Sequence, residues 1–317
     1  IRCLEFFSGI GGLHYAFILS ETEGEVLASF DINLVANSVY KHNFGKDPIT
    51  KAIDSLTVED IEKYKANCWL MSPPCQPYTR GGKSLDEKDQ RAKGLLHLID
   101  ILPKLSDPPN YIFLENVLNF EKSKCREKLI NQLCLTNYEI TECLLTPLQF
   151  GIPNDRLRYY LMARKRTNTC ELNDQEQNHL ETSEEDVFNI PSLSTYLEEL
   201  NEVEIKNYFV PEKYILKSYN FKFDIVLPTD HKCSCFTKFT NYNFEDPSLL
   251  LNLKLRFFTP EEVARLHTFL LNPKILLHKE EWFKFPENIS IIQKYRLLGN
   301  SLNCSVVSEL LRYILFL

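Results

Sequence analysis

Residues 6–13 read Phe6-Phe7-Ser8-Gly9-Ile10-Gly11-Gly12-Leu13. The apolar run Ile1–Phe7 breaks into a glycine-rich turn and gives way to an amphipathic stretch, Leu13–Ser20, which predicts strand, tight turn and helix in succession. In a parallel α/β sheet such a turn lies at the carboxyl ends of the strands, where the backbone can approach a ligand closely. The pattern is G-x-G-G, and His14 stands where the third glycine of a G-x-G-x-x-G dinucleotide fingerprint would fall. That argues against a pyrophosphate site, and so against a nicotinamide oxidoreductase, but not against a cofactor without phosphates. Taken alone, the turn could equally serve only to pack a helix closely.

The same rhythm continues outward. Glu25–Phe30 predicts a second strand ending at Asp31, followed by a helix over Ile32–His42. Asp31 is placed to accept from two ribose hydroxyls, and Asp54, after a further short segment, from an adenine amino group. Asn67–Met71 predicts a buried strand running into Ser72-Pro73-Pro74-Cys75-Gln76-Pro77, where the prolines stop both helix and sheet and leave Cys75 on a stiff loop. Gly94–Leu105 has helical spacing, Tyr111–Leu114 is a strand delivering Glu115-Asn116, and Leu157–Ala163 is a strand entered from Gly151-Ile152-Pro153-Asn154-Asp155-Arg156. Alternating strands and helices imply an α/β fold with a mostly parallel sheet. Later, Thr259-Pro260-Glu261-Glu262 opens a helix with a capping box, and Leu297-Leu298-Gly299-Asn300-Ser301 predicts another glycine turn before a C-terminal helix.

Composition narrows the function. With 317 residues, 44% hydrophobic and 25% charged, the chain has ordinary globular usage. No apolar run approaches the about 18 residues of a membrane span, and Arg2, Glu5 and His14 argue against a signal peptide. The ten cysteines include no C-x-x-C pair, so no metal site is expected, and they read as reduced thiols of a cytoplasmic or nuclear protein. The net charge of −7 argues against nucleic acid, but ten of the 43 acids lie in residues 171–202, which hold no Lys or Arg. The other 33 acids face 36 basic residues, so the rest of the chain is slightly basic. The acidic stretch reads as a solvated linker and marks a boundary.

Three groups carry candidate chemistry. Cys75, on its rigid loop at a strand's carboxyl end, can act as a thiolate nucleophile if its surroundings favour the anion; the competing reading is a buried, inert thiol. Glu115 ends a strand beside the same cleft, where burial could leave it sharing a proton with a ring nitrogen; otherwise it is a solvent-facing glutamate. Arg156 and Arg158 alternate across a strand start and project to one side, which suits contact with phosphate or a base edge. Arg164, Lys165 and Arg166 read as a solvated face.

In this order, Phe-Ser-Gly-Ile-Gly-Gly, Pro-Pro-Cys-Gln, Glu-Asn-Val, Arg-Leu-Arg and the late Gly-Asn-Ser resemble the motifs of the cytosine-5 methyltransferase family, over nearly the whole chain. Cys235-Phe236-Thr237 and the tail from Lys294 to Asn303 are similar to its tRNA-modifying branch, the DNA methyltransferase 2 type. One departure is His267-Thr268-Phe269-Leu270, where that branch commonly has a Leu-Gly-Phe-Pro type segment.

The resemblance implies a Rossmann-like class I methyltransferase fold. It places a catalytic domain at 1–185, a small target-recognition region at 186–285, and a segment returning to the catalytic domain at 286–317. It implies S-adenosyl-L-methionine as cofactor, held by Phe7, Gly9, Ile10, Gly11, Gly12, Asp31, Ile32, Ile53, Asp54, Ser72, Pro73, Asn300 and Ser301. Cys75, Glu115, Arg156 and Arg158 would be catalytic: Cys75 adds to carbon 6 of cytosine, Glu115 holds ring nitrogen 3 and the exocyclic amine, and Arg158 orients the ring with Arg156 nearby on substrate. The implied substrate is a cytosine in the anticodon loop of aspartate tRNA, and the enzyme is expected to be a monomer. DNA is the alternative polymer, and a non-catalytic, adenosylmethionine-responsive nucleic-acid binder is the alternative class. Tyr208, Lys213, Tyr214, Lys217, Tyr219, Lys222, Lys232, Lys238 and Tyr242 could contact RNA or equally build a small domain's own core and surface.

Overall fold

The computed structural model describes residues 1–78, 85–166, 190–212, 224–235, 255–269 and 283–316. Its strands are β1 (Arg2–Phe6), β2 (Glu25–Phe30), β3 (Cys68–Met71), β4 (Tyr111–Val117), β5 (Tyr138–Leu145), β6 (Asn154–Asp155), β7 (Arg158–Lys165) and β8 (Cys233–Ser234). Six of them form one sheet in the order β2-β1-β3-β4-β7-β5, and β6 pairs with β8 separately. The pairings β1–β2, β1–β3 and β3–β4 are parallel, whereas β7 runs antiparallel to both β4 and β5. The expected α/β fold with a mostly parallel sheet is thus the observed one.

The helices are α1 (Gly12–Leu19), α2 (Leu34–Phe44), α3 (Val58–Glu62), α4 (Lys93–Ile101), α5 (Lys124–Leu135), α6 (Pro260–Leu266), α7 (Ile291–Gly299) and α8 (Cys304–Phe316). Period-two alternation along the strands divides their side chains between two cores. Cys3, Cys68, Leu70, Phe113, Tyr160 and Met162 face one core with residues of α1, α2, α6 and α8; Leu4, Phe6, Trp69, Met71, Ile112, Leu114, Tyr159 and Leu161 face the other with α3, α4 and α5. A third, small cluster joins Leu193, Tyr196, Cys233 and Leu266.

Several boundaries move for local reasons. The second helix starts at Leu34 rather than Ile32, because the Asn33 side chain accepts from the Val35 and Ala36 amides as an N-cap. The strand expected to stop at Leu114 continues to Val117, so Glu115 and Asn116 lie within it. The strand expected from Leu157 begins at Arg158. Leu297–Gly299 is no glycine turn: the capping box of Ser290 and Gln293 starts α7, which stays helical through Gly299. By contrast, the expected capping box of Thr259 and Glu262 opens α6. The chain's two ends meet where α8 packs on α1, and the Arg312 guanidinium donates to the Leu19 carbonyl (2.7 Å) and the Ser20 carbonyl (3.2 Å), satisfying the end of α1.

Of the residues read as RNA-facing, Tyr208 closes a short 3-10 turn, Ile205–Tyr208, and Lys232 pairs with Asp155 at 2.7 Å. Lys213, Tyr214, Lys217, Tyr219, Lys222, Lys238 and Tyr242 lie outside the described residues, as do Phe236, Thr237 and Leu270.

Candidate active site

Parallel pairing carries β1, β3 and β4 to a common carboxyl edge, and the antiparallel β7 begins at that edge, with Arg158 paired to Val117 and Leu145. The glycine turn, the Cys75 loop, Glu115 and Arg158 therefore converge although they are far apart in sequence. An arginine delivered at the start of a strand can reach this edge only if that strand runs against the others.

The three glycines of the turn do different work. A Cβ on Gly11 (φ +88°) would stand 2.2 Å from the Phe44 ring, and one on Gly12 would stand 3.0 Å from Leu302 and from the Ser301 hydroxyl. At these two positions the close approach is between the chain and itself. Gly9 (φ +52°) has nothing within 4 Å of where its Cβ would be, so it opens onto free space. Its amide donates to Asp31 Oδ2 at 2.8 Å, and the Asn33 amide donates to Asp31 Oδ1 at 2.8 Å, which fixes the carboxylate beside the turn. Burial raises the Asp31 carboxyl above its ordinary value, against these two hydrogen bonds. Next to it Ile32 is 68% exposed, an apolar side chain offered to this space.

Around the same edge, Phe7 holds φ +59° and, with Ile53, packs against Gly94 at the start of α4. Ile10 and Ile53 are buried, whereas Asp54 is exposed. An open backbone face, a fixed carboxylate and an exposed apolar side chain fit a nucleoside-bearing cofactor.

Beyond β3, the Ser72 hydroxyl donates to Glu115 Oε2 at 2.9 Å, and the Asn116 side-chain amide donates to the Pro73 carbonyl at 3.0 Å. The Glu115-Asn116 pair thereby fixes the loop that bears Cys75. Glu115 is 6% exposed and lies 3.6 Å from Arg158 Nε. Cys75 is half-buried. Its surroundings differ from the expectation that they favour the anion: burial and then the Glu115 charge push the thiol up, while Arg158 and Arg156 push it down without prevailing.

Arg156 is 3% exposed, and its guanidinium donates to the Gly299 carbonyl (3.2 Å), to the Ser301 carbonyl and to Cys235 Sγ (3.0 Å). The Gly-Asn-Ser segment thus meets both the glycine turn, through the Ser301 hydroxyl, and this arginine, through its carbonyls; Asn300 itself is exposed at the end of α7. Arg158 Nη2 also reaches Cys235 Sγ, at 3.4 Å. The two arginines do project to one side, although Arg156 precedes the strand.

Over residues 1–315 the sequence matches the family described as C-5 cytosine-specific DNA methylase. The chain belongs to this family. A Spodoptera frugiperda protein named tRNA (cytosine(38)-C(5))-methyltransferase is 40% identical over 98% of each chain. A Dictyostelium discoideum protein named DNA (cytosine-5)-methyltransferase is 39% identical over 98% of this chain and 93% of its own. The crystal structure of the S. pombe Dnmt2 methyltransferase superposes with a TM-score of 0.81 at 32% identity, covering 100% of this chain and 98% of that one. The chain is therefore a cytosine-5 methyltransferase with the Rossmann-like methyltransferase fold.

Two features of this methylase escaped the reading of its sequence. Glu5 sits fully buried in β1, where it accepts from Tyr40 Oη (2.9 Å) and the His14 amide (3.2 Å); His14 Nδ1 in turn lies 2.7 Å from Tyr40 Oη. His14 also stacks on Phe44 with ring centroids 4.0 Å apart, so the residue that spoils the dinucleotide fingerprint fills the space behind the turn. Burial pushes the Glu5 carboxyl up to about 8, against the hydrogen bonds from Tyr40 and His14. A carboxylate inside an apolar strand just ahead of the turn was the available signal. The second is Cys235, legible only as part of a branch-like tripeptide; its contact with both arginines depends on the pairing of β6 with β8.

Proposed function

We propose that this methyltransferase transfers a methyl group from S-adenosylmethionine to carbon 5 of a cytosine in tRNA, in the anticodon loop of aspartate tRNA, through a covalent bond between Cys75 and carbon 6. The observation that carries the reading is the convergence of Cys75, Glu115 and Arg158 on the sheet edge that also bears the open face of Gly9. The near full-length similarity to proteins named tRNA (cytosine(38)-C(5))-methyltransferase supports RNA as the polymer.

Carbon 5 of cytosine is a weak nucleophile. Once its proton has left to solvent, the Cys75 thiolate adds to carbon 6 and moves the 5,6 double-bond electrons onto carbon 5. Glu115, oriented by the Ser72 hydroxyl, brings a proton to ring nitrogen 3 and accepts from the exocyclic amine, so the negative charge that develops in the ring is neutralised there. Arg158 orients the ring, and Arg156 holds the strand start beside it. S-Adenosylmethionine, when bound, supplies the sulfonium methyl that carbon 5 takes up. Loss of the carbon 5 proton to a base and departure of the Cys75 sulfur then restore the double bond. The cofactor would be held by Phe7, Gly9, Asp31, Ile32, Ile53 and Asp54 on one side of the edge and by Ser72, Pro73 and Asn300 on the other, with Ile10, Gly11, Gly12 and Ser301 shaping the turn. The target base must leave its stack, at a cost of about a few kcal/mol in a duplex and less in a loop, which favours an anticodon loop for a chain of net charge −7 that is only slightly basic outside residues 171–202.

The test compares wild type with Cys75→Ala, using tritiated donor on aspartate tRNA, on that tRNA without its anticodon arm, and on duplex DNA. Methylation of intact tRNA only, abolished by Cys75→Ala with donor affinity retained, is the expected result. Signal on duplex DNA only would overturn the RNA reading. Absence of any Cys75-dependent adduct with a 5-fluorocytosine substrate would overturn the covalent step.

A further inference from the structure

Arg156 and Arg158 bring two positive charges into a buried space in which Glu115 is one carboxylate. Each charge resists the other, and burial followed by the neighbouring Arg158 charge lowers the Arg156 guanidinium below its ordinary value. Two buried like charges stay together only with further acceptors. Carbonyls of Gly299 and Ser301 take part of Arg156, but one acceptor is common to both arginines: Cys235 Sγ, 3.0 Å from Arg156 Nη1 and 3.4 Å from Arg158 Nη2. Its placement is built. The ladder pairs Asn154 with Cys233 and Asp155 with Ser234, and the Asn154 side chain donates to the Ser234 carbonyl at 3.0 Å, so the next residue is fixed against the arginines.

We propose that Cys235 is a positioning residue of the methyl-transfer site: its sulfur is the shared acceptor that holds the guanidinium groups of Arg156 and Arg158 side by side next to Glu115 and Cys75. A thiolate suits this role, because charge-assisted bonds are the stronger ones and a nearby guanidinium favours the anion. The groups around the sulfur are Arg156 and Arg158, Glu115 across from Arg158, and Cys233 on its own strand. Burial pushes the Cys235 thiol up, but the charges and hydrogen bonds of the two arginines outweigh it and hold the thiol below its ordinary value. Cys75, facing the same arginines, is held above. The two arginines therefore favour the anion more at Cys235, on the segment expected to recognise the target, than at the nucleophile.

This inference rests on the methyl-transfer reading, so its experiment has one arm that needs no turnover. In Cys75→Ala protein, alkylation of Cys235 by iodoacetamide is followed by mass spectrometry as pH is raised. Labelling should reach its midpoint below the ordinary thiol range, and adding Arg158→Gln should move the midpoint up. A midpoint at or above that range, or one indifferent to Arg158→Gln, overturns the proposal whatever the substrate is.

In the second arm, Cys235→Ala should lower kcat on tRNA by about tenfold to a hundredfold, the scale of a displaced orienting group, with KM within about twofold. Cys235→Ser, which keeps an acceptor, should recover part of the loss. Combining Cys235→Ala with Arg158→Gln should cost little more than Arg158→Gln alone. Additive losses, or an early-melting Cys235→Ala whose activity falls only with its folded fraction, overturn it. Absence of tRNA methylation by wild type would instead indict the substrate reading and leave the alkylation result standing.

Discussion

In the proposed mechanism Cys75 supplies the attacking sulfur, and in the substrate-free protein its surroundings disfavour the thiolate. Burial and the Glu115 charge both oppose the thiolate, and the arginines compensate only in part. The thiol is therefore raised, and its reactive form is lost as pH falls through a range above the ordinary thiol one. Alkylation of Cys75 should accelerate with pH up to an alkaline midpoint, and Glu115→Gln, which removes one of the two opposing influences, should shift that midpoint downward. An unchanged midpoint in Glu115→Gln would mean that the carboxylate does not act on the sulfur. This much could not be read from the sequence. Pro73-Pro74 announces a rigid loop, but whether a thiol on it is ionised depends on a glutamate forty residues away and on arginines brought by another strand.

At the level of elements, the glycine turn separates into a packing part, Gly11 and Gly12, and an open part, Gly9. Gly11→Val should clash with Phe44 and strain a left-handed backbone, costing about 3 kcal/mol of stability, measured by denaturant unfolding. Gly9→Ala should cost only about 1 kcal/mol for its backbone, yet weaken adenosylmethionine binding by calorimetry. The reverse pattern would exchange the two roles.

Behind the turn, Glu5 of β1 joins α1 through the His14 amide and α2 through Tyr40. With its folded value near 8 against an ordinary 4.5, Glu5 keeps a proton that the unfolded chain has released, so its contribution to stability falls as pH rises from about 4.5 to about 8. His14, whose burial holds it down to about 4 from 6.5, acts in the opposite sense below 6.5. Between about pH 6.5 and 8 Glu5 is free of that opposition, and wild type should lose about 2 kcal/mol that Glu5→Gln does not lose; parallel melting curves for the two proteins over this range would exclude the effect. The strands around these sites were legible because buried parallel strands are unbroken apolar runs, as in Cys68–Met71. β5 was not read, since Tyr138–Leu145 lies at the sheet's edge and mixes Glu139, Thr141 and Glu142 among its apolar residues, and α5 between Lys124 and Leu135 buries only a narrow stripe.

For the whole molecule, the two ends of the chain share one core. Val306, Val307, Leu310, Leu311 and Ile314 of α8 pack with Leu13, Ala16 and Phe17 of α1 on the same face of the sheet. A chain ending at Asn303 should therefore lose cooperative unfolding rather than only the stability of one helix, checked by thermal melting followed at two wavelengths. The order of motifs along the sequence made the sheet and its carboxyl edge legible. It could not reveal that the late Gly-Asn-Ser segment anchors Arg156, because that contact spans 143 residues from Arg156 to Gly299.

The two-residue ladder of β6 with β8 has a further implication. Chain leaves the six-stranded sheet after β7 and is back against β6 by Cys233, where the Cys233 amide donates to the Pro153 carbonyl at 2.9 Å and Lys232 grips Asp155. Leu193 and Tyr196 pack with Cys233 and with Leu266 of α6, and the Glu198 amide donates to Glu262 at 2.9 Å, so the described part of the stretch between them is tied down at several points. An exchange of this stretch for a cousin's should therefore keep the contacts of residues 153–155 with 232–235 and of Leu193 and Tyr196 with Leu266.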